Sequence, residues 1–167
     1  ANGSNPRLRL AGEEAAPRSG VRVLLVDDEP LVLQSLAHIL TGAGYAVTLT
    51  STLAAATERL RRESFDLVLT DLYLGDDELG VQIAEVARER RPQVPVIVLT
   101  GRPTFDGAQE AVRNHVADMV VKPVESRTLL ATCRRVMHET ALAHRNAELE
   151  TCNRVLTSVL PRTIAMK

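Results

Sequence analysis

The segment Val23–Leu33, VLLVDDEPLVL, passes from branched aliphatics directly into three acids, Asp27, Asp28 and Glu29. Three later apolar runs also end on side chains capable of chemistry: Asp71 after LVLT, Thr100 after VIVL, and Lys122 after MVV. Two carboxylates about 4 Å apart repel by roughly 4 kcal/mol at an effective dielectric near 20. If these segments converge, three carboxylates share one place and Lys122 supplies only one positive charge. A hard divalent ion with oxygen ligands, Mg2+, would supply the rest. A metal, a lysine and a threonine hydroxyl around one aspartate form an electrostatic clamp for a transferring phosphoryl group. Asp71 would then be the nucleophile, and the product an acyl phosphate.

Convergence requires particular elements. Short apolar runs occur at 21–26, 45–50, 66–70, 94–99 and 117–121, with helical patterns near 30–41, 52–63, 79–90 and 104–115 between them. Leu33, Leu36, Ile39 and Leu40 have the spacing of one apolar helix face. Ser51 is the expected N-cap of the second helix, and Gly42 and Gly44 mark the end of the first. Strands alternating with helices predict βαβ crossovers and a parallel sheet covered on both faces. In such sheets ligands bind beyond the carboxyl ends of the strands. Asp27, Asp28, Asp71, Thr100 and Lys122 all fall at those ends.

Composition agrees with one ordinary domain plus extensions. The chain has 167 residues, 45% hydrophobic and 25% charged, with formal net charge −1. That balance offers no electrostatic case for direct nucleic-acid or membrane binding, and no apolar run approaches the roughly 18 residues of a membrane span. Cys133 and Cys152 fall on one continuous helical pattern. At about 1.5 Å per residue they stand roughly 28 Å apart, too far to bridge. Small core or seam positions are expected of them, in a reducing, cytoplasmic setting. The pairs Arg61-Arg62, Arg90-Arg91 and Arg134-Arg135 are expected on solvated helix faces.

The four motifs VDDEP, LVLTDLYL, VIVLTG and VVKP, in this order, resemble the receiver domain of two-component response regulators over about residues 21–138. The resemblance implies a flavodoxin-like sheet of order 2-1-3-4-5, Asp71 as phosphoacceptor, and a sensor histidine kinase or phosphotransfer protein as donor. It further implies that Asp28 ligates Mg2+ more directly than Asp27, which acts mainly through water. The backbone carbonyl of Tyr73 completes the protein's share of the coordination. Lys122 pairs with the phosphoryl group and Asp71, and Thr100 turns its hydroxyl toward the phosphate. Glu29 needs no chemical role; an acid at a helix start explains it.

Two features depart from the family pattern. The loop after Asp71 carries Gly75 and the acidic run Asp76-Asp77-Glu78, with Gly80 about one residue late, where members commonly have Pro and then Gly. Met119 stands where many members have an aromatic switch residue, and His115-Val116 replaces a Gly-Ala pair. A rival reading is a phosphohydrolase of the haloacid-dehalogenase type, but that chemistry needs a second Asp two residues after the nucleophile. Tyr73 is there instead, so the acyl phosphate should persist as a switch state.

Helical composition continues to about 160. Leu142, Leu149 and Leu156 recur every seven residues, with Cys152 and Val159 three residues after two of them. That is a short a/d seam, interrupted by Arg145 and out of phase with an earlier Leu130-Cys133-Met137 stripe, as at a stutter. The expected organisation is a flexible segment 1–20, a receiver 21–138, a helical linker 139–160 that forms a parallel homodimeric coiled coil, and a junction 161–167. That junction, after LTSVLP, resembles the linker before class III nucleotide cyclase domains, so an output domain, with any conventional enzymatic activity, is expected outside this chain. The alternative is a vestigial receiver acting only as a dimerisation module.

Overall fold

The computed structural model describes residues 20–75, 80–90 and 93–159. The expectations for the N-terminal segment, the acidic run Asp76-Asp77-Glu78 and the junction 161–167 fall outside these residues. In chain order the elements are β1 (Arg22–Val26), α1 (Pro30–Gly42), β2 (Ala46–Thr50), α2 (Leu53–Arg62) and β3 (Leu67–Asp71). They continue with α3 (Gly80–Glu89), β4 (Val96–Thr100), α4 (Phe105–Arg113), β5 (Asp118–Val121) and α5 (Ser126–Val159). The strands form one all-parallel sheet of order β2-β1-β3-β4-β5. This is the flavodoxin-like doubly wound fold that the sequence predicts, with the extended C-terminal helix.

Why these residues make this sheet follows from strand periodicity, which sends alternate side chains to opposite faces. Val23 and Leu25 of β1, Leu67 and Leu69 of β3, and Ile97 and Leu99 of β4 pack with Leu33, Leu36 and Leu40 of α1 and Leu129, Cys133 and Val136 of α5. Leu24, Val26, Val68, Val96 and Val98 point to the other side, where Ala56 and Leu60 of α2 and Ile83, Ala84 and Ala87 of α3 cover them. Each of β3 and β4 is buried at every position, which explains their lack of polar alternation.

Some local expectations need correction. The N-cap of α2 is Thr52, whose hydroxyl accepts the Ala55 N–H at 3.1 Å; Ser51 is one residue too early. Gly42 closes α1, and the left-handed residue is Gly44. The apolar stripe of α5 is centred on Leu129, Cys133 and Val136, with Leu130 and Met137 only partly buried on its flanks. Arg135 is more than a solvated charge: it pairs with Asp118 of β5 and Glu139, fastening α5 to the edge strand. Arg90 likewise donates to the Arg61 carbonyl at 3.3 Å, joining α3 to α2. Both cysteines lie on α5, Cys133 buried and Cys152 exposed.

A close approach at the start of α3 fixes where β3 ends. The Gly80 N–H donates to the Leu72 carbonyl at 3.0 Å. A Cβ at Gly80 would lie 2.2 Å from the Asp71 carbonyl oxygen and 2.9 Å from the Leu72 Cα. Only glycine allows α3 to press on the backbone that carries Asp71.

Two expectations follow. Gly80→Ala should displace the Asp71 backbone and destabilise the fold by about 1–3 kcal/mol, read as a lower denaturant midpoint at unchanged m. Burial pushes the Cys133 thiol from 9.0 up to about 12, with Arg134 partly opposing the shift. Alkylation of native protein should therefore label Cys152 quickly and Cys133 only on unfolding. The same shift makes stability fall as pH rises between 9.0 and about 12, because only the unfolded thiol ionises in that window. Urea titrations of Cys133→Ala should lack that component.

Candidate functional site

The carboxyl edge of the sheet holds the site. The order of strands reverses between β1 and β3, so the residues following those strands border the crevice where such folds bind ligands. Asp27 follows β1 and is fully buried. One of its oxygens accepts the Glu29 N–H at 2.9 Å and the other accepts Lys122 Nζ at 2.7 Å. Asp71, the last residue of β3, is also buried. Its Oδ2 accepts the same Lys122 Nζ at 2.8 Å, and its Oδ1 accepts the Tyr73 N–H at 3.2 Å. Thr70 donates its hydroxyl to the Asp71 carbonyl at 3.0 Å, which steadies the backbone there.

Asp28 is exposed, and its Oδ2 accepts the Gly75 N–H at 2.9 Å. That bond ties the end of β1 to the loop after β3, at a glycine whose φ of 74° suits no β-branched side chain. Asp27, Asp28 and Asp71 each present an oxygen within 4.8 Å of the others. Lys122 stands just beyond β5, its peptide bond to Pro123 cis. Burial pulls the Lys122 ammonium down, but hydrogen bonds and charge from Asp27 and Asp71 outweigh this and hold its pKa above the usual lysine value.

Three carboxylates against one ammonium leave two negative charges in a largely buried space. All the donor atoms are hard oxygens, so the residues fit a divalent cation such as Mg2+. Thr100 is fully buried, and its Oγ1 accepts the Arg102 N–H at 3.1 Å, which leaves the hydroxyl proton free to donate. The cavity of about 190 Å3 at this edge is bounded by Asp28, Asp71, Lys122 and the Gly101-Arg102 turn, with Tyr73 and Glu29 at its rim.

All the side chains expected at the site thus come to one edge, with the Tyr73 backbone beside them. Glu29 is the N-cap residue of α1, yet its side chain caps nothing and borders the cavity. Arg102 and Gly80 were not foreseen as site-forming. A residue two positions after Thr100 has no motif of its own, and Gly80 is visible in sequence only as a displaced family glycine. Met119 is half-buried beside Val98 of β4 and packs against the core cluster that contains Val96 and Val98, so it fills space there without an aromatic ring.

Comparison with known proteins gives a single answer. Residues 23–134 match the response regulator receiver domain family. The chain is 35% identical over 124 residues to the alginate biosynthesis transcriptional regulatory protein AlgB of Pseudomonas syringae pv. tomato, covering 74% of this chain and 28% of that protein. It is 36% identical over 109 residues to the response regulator protein FleR of Pseudomonas aeruginosa, covering 65% of this chain and 23% of that protein. The chain therefore spans only about a quarter of the length of these relatives. The crystal structure of a CheY-like response regulator receiver domain protein from Methanospirillum hungatei superposes with TM-score 0.70 at 29% identity, over 75% of this chain and 99% of that one. Among the described residues no helix is long and apolar enough to cross a membrane. Receivers are the phosphorylation-dependent modules of two-component signalling; they work with histidine kinases or phosphotransfer proteins and bind Mg2+ in an acidic pocket. The chain, with its parallel sheet and its acidic cluster at the switch point, belongs to the response regulator receiver domain family.

Proposed function

We propose that this chain is a phosphorylation switch that takes a phosphoryl group from a phosphohistidine donor onto Asp71. The observation that carries the reading is the Lys122 ammonium shared between the buried carboxylates of Asp27 and Asp71 beside an open cavity. An Asp71 oxygen attacks phosphorus, the P–N bond to the donor imidazole breaks, and the imidazole nitrogen leaves with the bonding pair. Lys122 moves its hydrogen bonding onto a phosphoryl oxygen, and Thr100 donates its hydroxyl to another. Asp28, Asp27 and Asp71, with the Tyr73 carbonyl, would hold Mg2+, which when bound neutralises charge between carboxylate and phosphoryl oxygens. With Tyr73 where a hydrolase of the haloacid-dehalogenase type would keep its general acid-base, the acyl phosphate should persist. The chain's chemistry is then limited to its own phosphorylation and dephosphorylation.

The readout we infer runs through α5. The receiver proper would end near residue 138, and 139–160 would act as a linker that pairs with a second copy and connects to an output module. Support comes from what α5 leaves uncovered: Leu142, Leu149 and Leu156 are exposed along one stripe with Cys152. Its polar groups need no partner in the same way. The hydroxyls of Thr140 and Thr151 return to carbonyls of their own helix at 2.8 and 2.9 Å. Exposed leucines at seven-residue spacing are what a coiled-coil seam would cover.

Intact mass after incubation with acetyl phosphate should show a phosphoryl adduct that requires Mg2+ and is absent in Asp71→Asn. No adduct in folded wild-type protein would instead leave the dimerisation module as the function. For the seam, sedimentation equilibrium should show a dimer that Leu149→Asp converts to monomer with the receiver still folded; an unchanged distribution would remove the proposed pairing.

A further inference from the structure

The exposed stripe on α5 points away from the receiver that carries it. Cys133 is buried against the core, and Leu142 follows it by nine residues on one unbroken helix. At about 3.6 residues per turn, nine residues make two and a half turns, so Leu142 stands on the opposite side of the helix. Leu149 and Leu156 follow at intervals of seven, and all three are between 42% and 60% exposed. The chain's own core cannot reach this stripe without breaking α5. A stripe that repeats every seven residues is complementary to itself in a parallel pair, where each layer meets its own counterpart. The cover it fits is therefore the α5 of a second copy.

One residue of the stripe is of the wrong chemistry for it. Arg145 lies three residues after Leu142 and four before Leu149, the place of a d layer in that repeat, and it is exposed. Among the described residues it forms no ion pair, although Glu148 stands one turn away. Arg135 on the same helix, by contrast, is engaged by Asp118 and Glu139. In a parallel pair the layer at 145 holds two guanidiniums, with leucine layers on both sides of it. We propose that Arg145 sets the strength of the pairing: facing its counterpart, it keeps the α5 dimer weak and reversible. The proposal rests on the pairing of α5 with a second copy. A switch redirects an equilibrium only by as much as its two states differ in affinity. A seam of leucine alone would hold two copies together whatever the state of Asp71, whereas one repulsive layer brings the pairing within reach of the receiver. The formal net charge of −1 per chain leaves little repulsion between whole molecules, so a salt effect on pairing reports this layer.

Sedimentation equilibrium of the 167-residue chain tests this, with wild type, Arg145→Met, Arg145→Lys and Leu149→Asp. Methionine keeps an unbranched apolar stem and removes the charge; lysine keeps the charge. Two unit charges in one layer weaken pairing by roughly 3- to 100-fold, depending on how far water screens them. Arg145→Met should dimerise more tightly by that factor, and Arg145→Lys about as weakly as wild type. Raising NaCl from about 50 to about 500 mM screens the charges and should tighten wild type and Arg145→Lys more than Arg145→Met. Thermal midpoints should stay together for the variants at 145, because that side chain is exposed. Dimers of wild type and Arg145→Met of equal strength, both lost with Leu149→Asp, overturn the role of Arg145 alone. A wild-type dimer weakened by salt also overturns it, since the arginine then meets a carboxylate across the seam. Monomers in wild type and Arg145→Met alike, or a dimer untouched by Leu149→Asp, overturn the pairing of α5 and the proposal with it. A monomeric wild type beside a dimeric Arg145→Met supports the proposal.

Discussion

The Lys122 ammonium, held at 2.7 and 2.8 Å between the carboxylates of Asp27 and Asp71, is the contact around which the carboxyl edge is built. A buried carboxylate needs a partner with good geometry, or its desolvation goes uncompensated. Asp27 is fully buried and takes one bond from a backbone N–H and one from lysine. To bring these charges together, β1, β3 and β5 must end in register at one edge, although β4 separates β3 from β5. The hydrophobic faces of the strands bear that demand: each strand is fixed by side chains on both sides, so its end cannot slide. The site is thus strained by charge and made rigid by oil.

Much of this was legible in the sequence because the signals are periodic and the chemistry sits at the ends of the periods. Runs such as LVLT and VIVL have few structural alternatives once helical patterns separate them. The strands fall within two residues of where their runs predict them. The Asp, Thr and Lys that follow then inherit their place from the parallel topology.

What remained hidden depends on distances across the fold. Ser51 and Thr52 are both competent caps, and only the backbone shows that Thr52 accepts the Ala55 N–H. The stripe of α5 could be drawn through Leu130 or Leu129; the packing of Leu33, Leu36 and Leu40 against it selects Leu129, Cys133 and Val136. Arg135 reads as surface charge until β5 brings Asp118 beside it. Gly80 matters because of the Asp71 carbonyl, a contact between backbone atoms that no residue pattern announces. Arg102 is similar, since the Tyr73 ring beneath its guanidinium lies on another loop.

The continuity of α5 has a mechanical consequence. Its first part, with Leu129, Cys133 and Val136, is core, while the part bearing Leu142, Leu149 and Leu156 lies outside it, and no break separates them. From residue 138 to 159 the helix projects about 30 Å beyond its last core contact. A rod fixed at one end converts tilt into travel, so a reorientation of about ten degrees at the core moves the tip by roughly 5 Å, on the scale of one helical turn. A hinge at the edge of the core would absorb such a motion; an unbroken helix delivers it.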